Sequence, residues 1–592
     1  MEKIRLTIDN RPLEVDKGTN LVEAAATIGI RIPTLCYLNL HEFGCKNDPG
    51  VCRICVVEVE GRKNLAPACK TLCTEGMVVR THTPRVINAR QTILELILSD
   101  HPNECLTCSK NGYCSLQTMA KDLGVREAKY KGETTKPLQD LSPSVVRNME
   151  KCILCRRCET VCNQMQTVGA LSVVGRGFTS VLCTAFNDPI LSSNCVNCGQ
   201  CVAVCPTNAL SENSNIKEVL RALADPTKTV VVQTAPAVRV ALGQDFGLEG
   251  ESVTGKMATA LRQLGFDYVF DTDFAADLTI MEEGTELLGR LEKHLAGNRQ
   301  ARLPIMTSCC PGWVSFVEKH FPELREYLST AKSPQQMFGA IAKNYLAPKL
   351  GIDRRHLIVV SVMPCVAKKS EAARPEFSSE GDPDVNISIT TRELAHMIRY
   401  ANMDFDKLPE SDFDSPLGES TGASAIFGVT GGVIEAAVRT AYEVHTGKPL
   451  PRIDFTELRG LEGVRSATID FDGTPIRIGI AHGLGNARKL VEKILAGEAD
   501  YHAVEVMACP GGCINGGGQP YHRGNAALLK QRTASLYAED RSKPIRKSHE
   551  NPAIRQLYAE FLGKPCGELS HRLLHTHYID RKPVVEPIPN KK

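Results

Sequence analysis

At 592 residues, with 42% hydrophobic and 23% charged side chains, the chain is long enough for several packed domains, and its composition excludes a disordered or fibrous protein. A formal net charge of +2 gives no basic surface for nucleic acid or an anionic membrane. No apolar run reaches the roughly 18 residues that span a bilayer, the first residues lack a signal-peptide layout, and 24 cysteines in close spacings point to metal rather than disulfides, so a cytoplasmic metalloprotein is expected.

Residues 3–8 and 12–15 read as a hairpin around Asp9-Asn10. A short helix should follow, with Thr19 as its N-cap and Ala24 to Ala26 inside it. Cys55 to Glu60 and Gly76 to Thr81 read as further strands, which makes residues 1–82 a small β-rich module with one helix. Within it, Cys36, Cys52, Cys55 and Cys69 are spaced C-x15-C-x2-C-x13-C. A plant-type [2Fe–2S] site uses C-x4-C-x2-C and a distant fourth cysteine. The C-x2-C pair matches, whereas the first spacing is longer. Cys45 therefore competes with Cys36 as first ligand; Cys36 is preferred, and Cys73 is read as a bystander.

Val86 to Leu98 carries apolar residues near helical period and leads into His101, Cys105, Cys108 and Cys114. One histidine and three cysteines complete a four-ligand set over residues 83–122. Zinc uses the same ligand types, so spacing alone leaves zinc and a [4Fe–4S] cluster both open. The position between two iron–sulfur modules favours iron. Residues 122–148 are polar and lysine-rich and read as a linker or surface arm.

Over residues 140–212 the chain repeats itself. Cys152, Cys155, Cys158 and Cys162 are followed by Cys195, Cys198, Cys201 and Cys205-Pro206, each run spaced C-x2-C-x2-C-x3-C. This is the bacterial two-cluster ferredoxin pattern, in which the fourth cysteine of each run serves the other cluster. Cys205 then joins Cys152, Cys155 and Cys158, while Cys162 joins Cys195, Cys198 and Cys201. Asn163 follows Cys162 where a proline would be usual.

From about residue 225 to 592 the pattern changes. Val230 to Val232, Tyr268 to Phe270 and Leu357 to Val362 alternate with helix-like segments such as Thr285 to Leu295 and Ser333 to Leu350, the signature of α/β structure with parallel sheet. Cys309-Cys310, Cys365 and Cys509 follow largely apolar runs at Leu303 to Met306, Leu357 to Val362 and Ala503 to Val506, with Cys513 just beyond. Ligands collect outside the carboxyl ends of buried parallel strands. These thiolates should therefore meet at one buried point and hold a soft metal cofactor. Cys309 and Cys310, as neighbours on extended backbone, should face opposite ways.

Thr307 to Trp313, Met363-Pro-Cys365 with Lys368 and Glu371, and Glu505-x-Met507-Ala-Cys509-x3-Cys513 with Gly516 to Gly518 resemble the three signature segments of [FeFe]-hydrogenases. The upstream modules resemble the accessory domains of the larger members of that family, and the likeness extends to Arg546 to Asn551. It implies an α+β multidomain fold: a β-grasp [2Fe–2S] ferredoxin module, a module with one histidine and three cysteine ligands, a two-[4Fe–4S] ferredoxin module and a large two-lobed α/β domain. That last domain would carry the H-cluster, a [4Fe–4S] cubane joined to a two-iron unit with carbon monoxide, cyanide and a bridging dithiolate. By resemblance Cys310, Cys365, Cys509 and Cys513 hold the cubane, with Cys513 shared. Cys309, Glu283, Glu286, Ser329 and Arg290 match a proton relay. Lys368 should meet a cyanide, and Ala235, Pro236, Gln335, Met363, Phe427 and Met507 match pocket positions. Ala237 stands where some members have serine. Glu283 and Glu286 share a helix face and Arg290 continues it; without the resemblance such a face reads as solvated ion pairs.

The function implied is interconversion of H2 with two protons and two electrons, in an enzyme made with maturation proteins. Its partner would be ferredoxin or a separate flavin or NAD(P)-linked subunit, because no Gly-rich nucleotide loop follows a strand here. An electron-transfer subunit of a respiratory dehydrogenase should lack the Cys309-Cys310 pair, Cys365 and Cys513. An iron–sulfur assembly relative usually loses counterparts of Cys309, Lys368 or Glu371, and a hydrogen sensor carries a further domain. Cys45, Cys73, Cys183 and Cys566 are left without a role, and His571, His575 and His577 read as ordinary tail histidines.

Overall fold

The computed structural model describes residues 2–47, 49–133, 139–298 and 301–581. The N-terminal module is a five-stranded sheet in the order Arg11–Asp16, Lys3–Ile8, Val78–Arg80, Val56–Val59, Ala66–Pro67. Lys3–Ile8 runs parallel to Val78–Arg80 and antiparallel to its hairpin partner. Alternate residues Ile4, Leu6 and Ile8 point into a core closed by Leu21, Ala24 and Ala25 of the helix Leu21–Thr27. That helix is capped by Asn20 and not by Thr19: the Asn20 carboxamide oxygen accepts from the amides of Val22 and Glu23.

The helix Pro84–Ser99 carries the chain to the His101 segment, with Pro84 at its first turn and Thr83 as its cap. The expected linker is partly built into a sheet. Gln139–Leu141 and Val145–Asn148 pair antiparallel, and Leu210–Glu212 closes a three-stranded sheet on the other side of Val145–Asn148. The strand at 145–148 is thus held by a partner distant in the chain, which local polarity cannot reveal. The lysine-rich stretch overlaps residues 134–138, which lie outside the described residues.

The C-terminal part has two four-stranded sheets among the described residues. In the first, Tyr268–Asp271, Thr229–Thr234, Leu357–Met363 and Ile387–Thr390 all run parallel. Val231 packs into one core while Val230 and Val232 pack into another, so the strand is covered on both faces. In the second, Ile305–Met306 and Thr474–His482 flank Ala503–Met507 in parallel, and Val464–Phe471 adds an antiparallel edge.

The helix Thr272–Leu295 joins the two lobes. Phe274, Ala275 and Leu278 enter the core beside the first sheet, and Ala276, Ile280, Leu287, Leu288 and Leu291 enter the core of the second. It begins well before the expected Thr285, because Asp271 accepts from the Asp273 amide and caps it directly after a strand. The expected helix over 333–350 forms from Pro334, with a π-helical turn at Ala342–Leu346. The C-terminal segment packs back on this framework through the helices Pro552–Leu557 and Glu568–Leu574.

Candidate metal and proton-transfer site

The strands end where the cysteines begin. Met363 closes a strand of the first sheet and precedes Pro364-Cys365; Met306 and Met507 close strands of the second and precede the other cysteines. One buried, mainly apolar cavity is lined by Cys310, Cys365, Cys509 and Cys513, together with Cys309, Ala235, Pro236, Ala237, Gln335, Met363, Lys368, Phe427 and Met507. The two sheets point their carboxyl ends at this one space, so residues far apart in sequence share it. Four thiols of this kind are the donor set of a [4Fe–4S] cubane, and the apolar wall beside them suits a cofactor held by few covalent bonds.

Cys309 and Cys310 do not lie in a strand; the two-residue strand ends at Met306, and Cys310 is the N-cap of the helix Pro311–His320. Both line the cavity. The Cys310 sulfur accepts from the Ala508 amide at 3.4 Å. Burial pushes the Cys365 thiol up to about 12 and raises that of Cys513 as well. Metal binding must displace those protons. Gly512 has φ of 104°, and a Cβ there would stand 2.8 Å from the Thr430 amide nitrogen, so only glycine fits this turn before Cys513.

Lys368 is buried and donates to Glu371 at 2.8 Å and to the Cys309 carbonyl at 3.1 Å. Burial pulls its ammonium down, but Glu371 beside it holds it above the ordinary value. Gln335 and Ser333 donate to the same Glu371 oxygen, at 2.9 and 3.0 Å. Lys368 thus enters the cavity as a braced cation, able to make charge-assisted hydrogen bonds to an anionic ligand. Ala237 leaves its part of the wall without a hydroxyl.

Behind Cys309 stands a chain of polar groups. Glu283 is buried, and one of its oxygens has no hydrogen-bond partner among the described residues. Burial, reinforced by Glu286, pushes its carboxyl up to about 8. The Ser329 hydroxyl lies within hydrogen-bonding reach of Glu283 and donates to Glu286 at 3.0 Å. Arg290 donates to Glu286 at 2.6 Å at the outer end. Cys309 lies close enough to Glu283 for that carboxylate to help raise its thiol, after burial. The solvated ion-pair reading of this helix face does not hold for Glu283.

The Cys36 set and the two ferredoxin sets also gather. Cys36 lies within hydrogen-bonding reach of the Cys52 and Cys69 thiols, and the Cys55 and Cys69 sulfurs are 3.4 Å apart. Cys45 instead packs among Leu40, Val161, Met165 and Val204. His101 Nδ1 lies 2.8 Å from the Pro102 carbonyl, while its buried Nε2 has no hydrogen-bond partner among the described residues. With the proton on Nδ1, Nε2 presents a free lone pair, the tautomer a metal-ligating histidine needs. A small cavity is lined by Cys152, Cys155, Cys158 and Cys205, and Cys162 lies electrostatically close to Cys195, Cys198 and Cys201.

The two ferredoxin loops repeat in backbone as well as sequence. Leu154 and Arg156 adopt positive φ, as do Asn197 and Gly199 at matching places. The Leu154 amide donates to the Cys152 sulfur at 3.4 Å, and Asn197 does the same to Cys195 at 3.4 Å. Contacts between modules order the sites. Arg157 donates to the Tyr37 carbonyl at 2.9 Å, and Lys110 donates to the Cys205 carbonyl at 3.1 Å. Both N-terminal modules therefore abut the Cys152–Cys205 set. Cys198 lines the central cavity. A Cβ on Gly517 would stand 2.7 Å from the Gly199 Cα, so glycine on both loops permits this approach. Gly517→Ala is expected to force the loops apart and cost about 1–3 kcal/mol, read as a lowered melting temperature.

Nothing in the local sequence marks Glu282 as a structural centre. It is fully buried, accepts from Tyr558 at 2.5 Å and from the Cys566 amide at 2.6 Å, and lies 3.0 Å from His575 Nε2. His575 is accordingly no ordinary tail residue; only its distant partners mark it out.

Comparison with known proteins bears on the same regions. Residues 228–517 match the family model of the iron only hydrogenase large subunit, C-terminal domain, and residues 526–581 that of the iron hydrogenase small subunit. Residues 1–84 match a 2Fe-2S iron-sulfur cluster binding domain, 90–129 the NADH-ubiquinone oxidoreductase-G iron-sulfur binding region, and 189–211 a 4Fe-4S binding domain. The NADP-reducing hydrogenase subunit HndD of Solidesulfovibrio fructosivorans is 61% identical, covering 98% of this chain and all of that one. Iron hydrogenase 1 of Clostridium pasteurianum is 38% identical over 97% of this chain and 99% of its own length. The solved structure of [FeFe]-hydrogenase HydA1 from Chlamydomonas reinhardtii covers 62% of this chain and 99% of its own at 44% identity, with a TM-score of 0.56.

Proposed function

The chain belongs to the [FeFe]-hydrogenase family and is an iron hydrogenase with accessory iron–sulfur domains, and from that premise we propose how its own residues divide the work. Cys310, Cys365, Cys509 and Cys513 would hold the iron–sulfur cofactor of this family in the cavity that they line. When bound, that group supplies the chemistry at the H–H bond. The observation that carries this reading is the meeting of four thiols, from strand ends of two separate sheets, in one apolar cavity.

Lys368, kept in place by Glu371, would orient an anionic ligand of the cofactor such as cyanide through its charge. Ala235, Pro236, Gln335, Met363, Phe427 and Met507 shape the walls and keep water out. Cys309, Glu283, Ser329, Glu286 and Arg290 carry protons between the cavity and the surface; the hydrogen bonds through Ser329 support the order. The Ser329 hydroxyl lies within hydrogen-bond reach of both carboxyls, so a proton can pass between them without large movement.

Cys36, Cys52, Cys55 and Cys69 would hold a [2Fe–2S] cluster, and His101, Cys105, Cys108 and Cys114 a [4Fe–4S] cluster, in the two modules that abut the site where Cys152, Cys155, Cys158 and Cys205 would hold another. Cys195, Cys198, Cys201 and Cys162 would hold the cluster nearest the cavity, which Cys198 lines; together these groups would supply a forked electron path to it. Cys36, not Cys45, is the first [2Fe–2S] ligand. The corresponding divisions are residues 1–82, 83–122, 140–212 and 225–592. The relative named as an NADP-reducing hydrogenase subunit favours separate flavin or NAD(P)-linked subunits as partners, with ferredoxin as the alternative, in the cytoplasm. No helix of the described residues is long and apolar enough to cross a membrane.

Protein made with its maturation partners is expected to hold about 20 irons per chain. It should also show infrared bands of metal-bound carbon monoxide and cyanide; their absence would overturn the assignment. His101→Ala should lower the iron content by one cluster. A zinc content near one per chain, lost in that variant, would move this site to structural zinc.

A further inference from the structure

The groups that orient Glu286 come mostly from one short loop. Ser329 donates its hydroxyl to Glu286, and the Thr330 amide donates to both carboxylate oxygens at 3.0 and 3.3 Å. Arg290, the remaining donor, is itself fixed by the carbonyls of Glu326 and Leu328. Residues 328–331 thus carry one relay hydroxyl and set the position of the next carboxylate.

That loop is held from outside by the C-terminal segment. Lys332 donates its amide to the Leu574 carbonyl at 2.7 Å, and Thr576 donates to the Thr330 carbonyl at 2.8 Å, around a bridge between Ala331 and His575. His575 Nδ1 lies 2.7 Å from the Thr330 hydroxyl oxygen. Its Nε2 lies 3.0 Å from Glu282, the immediate neighbour of Glu283 on the relay helix. The Tyr578 hydroxyl donates to the Ser329 carbonyl at 3.1 Å. One imidazole therefore spans the relay loop and the relay helix, and one phenol fixes the backbone of the relay serine.

The donor atoms of Glu282, Cys566 and His575 fall within 4.8 Å of one another. Both Glu282 oxygens and both His575 nitrogens already have hydrogen-bond partners, so the grouping is a brace and not a metal cage.

We propose that His575 and Tyr578 are positioning residues of the proton relay: they clamp residues 328–331 against the helix Thr272–Leu295 and keep Ser329 and Glu286 in hydrogen-bond register. Neither residue transfers a proton itself. Proton transfer needs heavy atoms within about 2.6–3.2 Å. A misplacement of about 1 Å can cost on the order of a hundredfold in rate. This inference rests on the relay reading above.

The test uses the matured full chain with Tyr578→Phe, His575→Ala, His575→Asn and, as reference, Glu286→Gln. Tyr578→Phe removes one hydrogen bond and keeps the ring, so it tests the idea even if His575→Ala fails to fold. Hydrogen evolution from a reduced dye is measured in light and heavy water, with infrared spectra of the same samples. Tyr578→Phe and His575→Ala are expected to lose about tenfold to a hundredfold in turnover, with a larger solvent isotope effect and unchanged infrared bands. His575→Asn, which keeps a nitrogen near the Thr330 hydroxyl, should recover part of the loss. Turnover and isotope effect both within about twofold of the parent in Tyr578→Phe would overturn the proposal, as would losses that only track loss of the infrared bands. If Glu286→Gln also turns over normally, the relay reading itself fails. If Glu286→Gln is impaired while the clamp variants are not, only this inference fails.

Discussion

Cys309→Ser is expected to lower hydrogen turnover by at least about a hundredfold while leaving the infrared bands of the bound cofactor in place. The thiol lines the cavity, and burial first, then the nearby Glu283 carboxylate, raises it well above the ordinary value. Lys368 acts in the opposite direction without cancelling that rise, so the group enters the path as a protonated thiol. A serine hydroxyl has nearly the same size but gives up its proton far less readily, so the cavity keeps its shape and loses its innermost carrier. Because Cys309 is not one of the four cubane thiols in the proposed assignment, the iron content should not change. Unchanged turnover would remove Cys309 from the proton path; lost infrared bands would make it a structural residue of the cofactor site.

Glu283→Gln has a comparable effect for a different reason, and a second signature in stability. With its carboxyl pushed up to about 8 by burial and by Glu286, Glu283 holds a proton at neutral pH and can release it at small cost. Glutamine keeps the shape but cannot pass a proton, so turnover should fall by about 10²–10⁴-fold. The raised carboxyl also makes stability depend on pH. Below the unfolded value of 4.5 both folded and unfolded chains carry the proton, and Glu283 costs nothing. Between there and about 8 the unfolded chain releases the proton while the folded one keeps it, so stability falls as pH rises. The slope is on the order of 1.4 kcal/mol per pH unit. Above that window the penalty is constant. Glu283→Gln lacks this slope, so its melting temperature relative to the parent should climb as pH is raised across the window. A flat difference would show that Glu283 is not held neutral in the folded protein.

Local chemistry is legible in the sequence. The C-x2-C-x2-C-x3-C runs place three sulfurs within seven residues, and the left-handed residues at Leu154, Arg156, Asn197 and Gly199 repeat as the cysteines do. The apolar runs before Cys365 and Cys509 announced buried strands, and both strands form. Distant partners leave no such mark. Polar residues 139–148 contribute two strands because Leu210–Glu212 supplies the third. His575 reads as a tail residue until Glu282 and Thr330 stand beside it. Cys36 could not be separated from Cys45 by spacing, since burial beside Cys52 and Cys69 and burial among Leu40 and Val161 look alike along the chain.

Sequence by itself determined the cysteine spacings and the buried parallel strands that precede Cys365 and Cys509, because spacing and periodicity are short-range properties of backbone and side chain. Only the tertiary structure decided that two sheets aim their strand ends at one cavity, that two N-terminal modules abut the same ferredoxin cysteine set, one through each of its loops, and that the C-terminal segment grips the loop of Ser329. Those relations depend on which distant surfaces pack together, and packing is decided by the whole set of buried faces rather than by any one stretch of residues.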